Sequence, residues 1–286
     1  MKKNMIYDCF NFFNELDLLD VRLNYLDKYV DKFVIVESTV TFSGNKKRLY
    51  FDENKHLFDK FKDKIIHIIV DDTPDDFNRL EESTGDKLQD KINQYVNRSP
   101  GWGKSEKQWG REIFQRESIF RGIKDCDDED IIILSDLDEI PNADVIKNLN
   151  FDNAKCFELK QRFFHYHINL LRELNWSGTK ISKWCFVKES TINEIRQNKI
   201  TDSVISEGGW HLSFMGGKDR IIEKIEAYSH QEFNHDIIKN NISLNIDQKT
   251  DIFYRDSNRC EVIDINNEYP KEIIDIVSEK YQYLIK

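Results

Sequence analysis

Proline and glycine are scarce in this chain: 4 and 11 among 286 residues. That scarcity excludes collagen-like repeats, flexible linkers and long low-complexity segments. The five cysteines, Cys9, Cys126, Cys156, Cys185 and Cys260, are scattered and form no CxxC. Neither a zinc ribbon nor a disulfide framework is indicated. No apolar run is long enough to span a membrane, and the start of the chain lacks the apolar core of a signal peptide. The expected location is therefore the cytoplasm. Basic charge is also in deficit. Lys and Arg number 42 against 52 Asp and Glu, a net charge of −10, which argues against general nucleic-acid binding.

What is present is alternation. Short apolar runs at 4–8, 33–37, 65–70, 131–135 and 155–159 predict strands. The leucines Leu16, Leu19, Leu23 and Leu26 recur at helical spacing, and a second helix is expected over 105–123. Strand–helix–strand alternation implies an α/β fold: a mainly parallel central sheet flanked by helices. The second half reads as mixed. It offers aromatic strands at 161–168 and 183–188, a loop at 206–217, a helix over 218–229 and a C-terminal helix opening at Pro270. Residues 71–110 are polar and poor in aliphatics. They predict either a partly helical insertion or a flap hinged at Gly101-Trp102-Gly103.

The run "IIILSDLDEIP" (131–141) carries the sharpest signal. A continuous apolar strand suits the middle of a sheet covered on both faces. Carboxylates at its tip must be solvated, paired or bound to metal. In extended chain Asp136 and Asp138, at i and i+2, share one side. Two hard oxygen donors suit Mg²⁺ or Mn²⁺, which also accept phosphate oxygens. A solvated acidic turn is the plain alternative.

Three blocks resemble glycosyltransferase family 17: residues 7–44, "SDLDEIP" at 135–141, and "GGWHLSFMGG" followed by "KIEAYSHQE" at 208–232. The resemblance covers most of residues 5–235. It implies a GT-A type nucleotide-sugar fold, a UDP-sugar donor, a divalent metal and inversion at the anomeric carbon. Asp136 and Asp138 fall on the metal motif of that family. The expected organisation is one catalytic domain, 1–286. Residues 1–141 form the nucleotide-sugar half, with the insertion near 71–110, and residues 142–286 the acceptor half.

Other residues are weighed from that base. Glu15 follows the first strand, where such folds meet the nucleotide; a carboxylate favoured by the helix dipole is the alternative. Glu37 ends the second strand, a usual place for base or ribose contacts. Lys46, Lys47 and Arg48 form a basic cluster. Of Arg111 and Arg116, Arg116 is the expected phosphate ligand, with an ion pair to Glu112 as its alternative. His211 follows two glycines that permit close approach to a ligand, and it could complete the metal site. Trp210 could stack on a sugar. His165 and His167 could form a hydrolytic metal pair or line an acceptor cleft. His230, Glu232 and His235 do not have zinc-protease spacing. Glu207, and secondarily Glu158, are candidates for the base that inversion requires.

The function expected is transfer of a sugar, GlcNAc in the known activity of the family, from UDP to a glycan hydroxyl. A metal-dependent hydrolase or nucleotidyltransferase, and a catalytically silent glycan-binding protein, remain alternatives. The acceptor and the oligomeric state are not legible.

Overall fold

The computed structural model describes residues 4–98, 106–152, 154–197 and 200–286. Ten strands form one sheet: β1 Ile6–Phe12, β2 Lys32–Ser38, β3 Ile65–Val70, β4 Ile131–Asp136, β5 Glu139–Pro141, β6 Cys156–His165, β7 Leu170–Lys183, β8 Ser203–Ile205, β9 Gly209–Ser213 and β10 Glu261–Val262. Their order is β3-β2-β1-β4-β7-β6-β9-β5, with β8 on β6 and β10 on β7. The first four strands are mutually parallel. β4 then meets β7 antiparallel, so the acidic tip sits where the sheet changes sense. Beyond it the sheet is mixed, with β6 antiparallel to β7 and parallel to β9.

The continuous apolar run is explained by burial on both faces. Ile133 joins Phe10, Phe33 and Ile35 under the helix Leu16–Leu26. Ile132 and Leu134 join Val34 and Val36 on the other face. There they meet Ile92 of the helix Lys87–Arg98 and Phe114 of the helix Lys107–Glu117. The described part of the polar stretch is therefore a structural insertion: Phe77, Leu80, Tyr95 and Val96 are buried in this second core. The flap expectation, centred on Trp102, falls outside the described residues. Among those residues no helix is long and apolar enough to cross a membrane.

Several sequence expectations need correction. Segments 155–159 and 161–168 merge into β6. Residues 183–188 hold a short helix, Trp184–Val187, while the long strand β7 precedes it. β7 lies outside those expectations: Leu174 and Trp176 alternate with Glu173, Asn175 and Ser177, but the middle of the strand is largely open to solvent and packs no core. The expected loop 206–217 contains β9, and the helix Asp236–Gln248, whose Ile238, Ile242 and Ile246 recur at helical spacing, adds an element to those expected. Pro270 caps the helix Lys271–Lys280 instead of lying in its first turn.

The paired glycines also have a different reason. A Cβ on Gly209 (φ 132°) would lie 2.1 Å from the Ile140 carbonyl oxygen, and one on Gly208 would lie 2.5 Å from Leu159 Cβ. They let β9 close against β5 and β6, and the close approach is to the neighbouring strands, not to a ligand.

Candidate active site

The acidic tip is held by one buried cation. Arg22 lies on the inner face of the helix Leu16–Leu26, fully buried with Asp8 of β1. Its Nε and Nη2 donate to the two Asp8 carboxylate oxygens at 2.8 and 2.6 Å. Its Nη1 donates to the carbonyls of Asp136, Leu137 and Glu139, each at 2.9 Å. The planar fork thus fixes the backbone of the turn that carries both aspartates. Nothing in a helical leucine repeat announces this arginine.

Asp136 ends β4 and Asp138 follows in a turn, yet both line one cleft of about 340 Å³. The cleft opens at the carboxyl end of the parallel strands, where open α/β sheets bind ligands. Asp138 is buried. Its Oδ2 accepts from Lys224 Nζ at 2.9 Å, and its Oδ1 lies 3.6 Å from His211 Nε2. Lys224 also donates to Glu15 Oε1 at 3.1 Å. Burial pushes the Asp138 carboxyl up, but Lys224 and His211 outweigh it and hold the group well below the usual carboxylate range. Asp136 is about half exposed and faces Arg196 at 3.2 Å and Arg116 at 3.9 Å. Burial pushes it up, and the two arginines bring it below its ordinary value. Both acids are ionised at neutral pH.

Each partner is placed in turn. Arg116 also pairs with Glu112 at 2.7 Å, the alternative expected for it, and it lines the cleft. Its Nη1 donates to Asn193 Oδ1 at 2.9 Å, and Arg196 binds Glu139 at 2.8 Å. Both Asn193 and Arg196 sit on the helix Ile192–Arg196. The buried carboxylate of Glu117 anchors the start of that helix by accepting from the backbone N–H groups of Ile192 and Asn193. Burial pushes Glu117 up to about 7.

β9 alternates cleanly. His211 faces the cleft, stacked on Phe163 with ring centres 4.6 Å apart. Trp210 faces the core, donates to Glu268 at 2.9 Å and packs on Tyr269, so it is no sugar platform. Trp176, which sequence reasoning passes over, lines the cleft beside His211.

Other expected site residues lie elsewhere. Glu37 is fully buried, outside the cleft lining, and accepts from the Phe51 amide at 3.1 Å and from Lys47 at 3.4 Å. Lys47 itself lines the cleft, whereas Lys46 and Arg48 do not. Arg111 donates to the Phe42 carbonyl. Glu207 is exposed in the turn before β9, with a left-handed φ of 51°. Glu158 is buried against Lys160 and Lys180. Neither base candidate reaches the cleft. Its carboxylates are Glu15, Glu112, Asp136 and Asp138. His165 and His167 part company because Tyr166 between them takes φ 68°, which ends the strand's alternation; only His165 lines the cleft. His230 reaches the cleft and is hydrogen-bonded to Glu232, while His235 precedes the helix Asp236–Gln248.

Among the described residues no group of three or more His, Cys, Asp or Glu side chains forms a ready-made metal cage. Mg²⁺ and Mn²⁺ at phosphate sites do not require one; one or two carboxylates plus substrate oxygens suffice. Asp136 and Asp138 meet that requirement in a single cleft, and among the described residues the buried His211 Nδ1 has no hydrogen-bond partner. The donor set fits such an ion, provided that Lys224 yields its hold on Asp138.

A cleft lined by both carboxylates and cations at the end of parallel strands is where an α/β fold places a ligand site. Residues 1–99 and 77–277 match glycosyltransferase family 17, and the chain belongs to that family of sugar-transferring enzymes. Over 141 residues it is 26% identical to the beta-1,4-mannosyl-glycoprotein 4-beta-N-acetylglucosaminyltransferases of Rattus norvegicus and Homo sapiens. The matched stretch is 49% of this chain and 22% of each relative's length. Among solved structures, 4-diphosphocytidyl-2C-methyl-D-erythritol synthase aligns with a TM-score of 0.36 at 7% identity, covering 72% of this chain and 90% of that one. The inositol-1-phosphate CTP transferase from T. maritima aligns with a TM-score of 0.37 at 10% identity, covering 75% and 91%.

Proposed function

We propose that this chain is an inverting glycosyltransferase of GT-A type that moves GlcNAc from a UDP donor to a glycan hydroxyl. The observation that carries the proposal is the meeting of Asp136, Asp138 and His211 with Arg116 and Lys224 in one cleft of a family 17 chain. The activity for which the relatives are named motivates GlcNAc and a mannosyl glycan as donor sugar and acceptor. In this proposal residues 1–286 act as one catalytic domain.

Asp136 and Asp138, with His211, would hold Mg²⁺ or Mn²⁺, which when bound neutralises a leaving diphosphate as a Lewis acid. Arg116 and Lys224 add positive charge beside the diphosphate in the same cleft. Lys224 also keeps Asp138 ionised, ready to accept a cation. Inversion needs a group that takes the proton of the acceptor hydroxyl. With Glu207 and Glu158 outside the cleft, that role falls to Glu112 or Glu15, the cleft carboxylates not assigned to the ion.

A melt with nucleotides tests the donor. UDP with Mn²⁺ is expected to raise the melting temperature, and ADP or GDP much less. A ligand at about 100 times its Kd stabilises by roughly 2.7 kcal/mol, which a melt resolves. Equal shifts for all three diphosphates would show that only phosphate is read, and would remove UDP from the proposal.

A further inference from the structure

One wall of the cleft is not explained by phosphate or metal. Rings touch in sequence along it. Trp176 meets Phe163 at 5.0 Å, Phe163 meets His165 at 4.7 Å, and His165 meets Phe214 at 5.7 Å. Phe214 then meets Phe253 at 5.5 Å, and Phe253 stacks on Tyr228 at 6.3 Å. All six of these residues line the cleft.

Polar atoms on this wall lack partners. His165 is fully buried, yet neither ring nitrogen has a hydrogen bond among the described residues. The Tyr228 hydroxyl and His211 Nδ1 are likewise unsatisfied. Leaving buried polar atoms unpaired is costly, so such atoms usually await water or a ligand. Burial pushes His165 down to about 3, so its imidazole is neutral and offers one donor and one acceptor. Tyr228 can also both give and accept.

We infer that this wall is a subsite for a neutral pyranose ring of the glycan acceptor, with His165 and Tyr228 as its hydrogen-bonding residues. The inference rests on the glycosyltransferase reading for the word acceptor, and on the wall alone for the sugar. A pyranose has an apolar C–H face that packs on aromatic rings and hydroxyls that both donate and accept. Groups able to play both roles match hydroxyls better than they match the fixed donor–acceptor edge of a nucleobase. The charged side of the cleft, Asp136, Asp138, Arg116 and Lys224, is left for the donor diphosphate.

The test is a glycan array of neutral oligosaccharides, followed by calorimetry with the best-bound one, on wild type, Tyr228→Phe and His165→Phe. UMP and UDP are titrated alongside. Each variant is expected to bind the glycan roughly tenfold more weakly, the size of one lost hydrogen bond, and UMP as well as wild type does. Tyr228→Phe removes one oxygen from a half-buried ring, so it stays informative even if His165→Phe melts early. Glycan binding without UDP binding would remove the donor proposal and leave the subsite standing. No glycan bound by wild type, unchanged glycan affinity in both variants, or a parallel loss of UMP affinity overturns the subsite; the last would give the wall to the nucleoside.

Discussion

Asp138→Asn is expected to cut sugar transfer roughly a hundred- to a thousandfold, a loss of about 3–4 kcal/mol, the range seen when one preorganised electrostatic group is removed from an active site. The substitution changes charge with little change in volume. Asp138 is the point where Lys224 and His211 meet, so the amide removes the partner of both. Lys224 keeps Glu15 at 3.1 Å, and for that reason the fold should survive with a modest change in melting temperature. Steady-state rates and a thermal melt of the same preparation separate the two effects. Wild-type turnover in this variant would take Asp138 out of the site. Collapse of the fold would make it a structural residue.

Arg22→Met is expected to have the largest effect on stability. Arg22 and Asp8 are both fully buried, and the guanidinium serves the Asp8 carboxylate, three carbonyls and the Ser135 hydroxyl. Methionine fills much of the volume but leaves a buried carboxylate with no cation. Breaking a buried pair in this way costs about 3–5 kcal/mol. For a chain of this size that corresponds to a fall in melting temperature on the order of 10 °C. Arg22→Lys should recover only part of the loss, because an ammonium cannot reach acceptors on both sides of the turn as a planar fork does. Denaturant titration of the three proteins decides the matter. A methionine variant as stable as wild type would show that the turn is held by other contacts.

The parallel half of the fold is legible in the sequence because its strands are short apolar runs buried on both faces. The tip of β4 is legible for the complementary reason, since carboxylates at the end of such a strand are expensive unless used. The mixed half is not. β7 has an alternating but solvent-open middle, with Leu174 exposed, and the aromatic run around His165 hides a break at Tyr166 that depends on a single left-handed residue. The base candidates lie outside the cleft lining for a related reason. Glu207 and Glu158 stand near the right segments in sequence, but strand alternation and a tight turn aim them away from the cleft. Lys224 lies inside the block 208–232, which marks the segment but not its role as the counter-ion of Asp138. Arg196 and Trp176 carry no such signal, because a short helix and a distant strand bring them in.

The most direct measurement is mass spectrometry of a mannose-containing N-glycan incubated with the protein, UDP-GlcNAc and Mn²⁺, with released UDP quantified in parallel. The account predicts acceptor heavier by one N-acetylhexosamine, with one UDP released for each sugar added. An unmodified acceptor with no UDP released from any UDP-sugar, or pyrophosphate released from UTP instead, would contradict it.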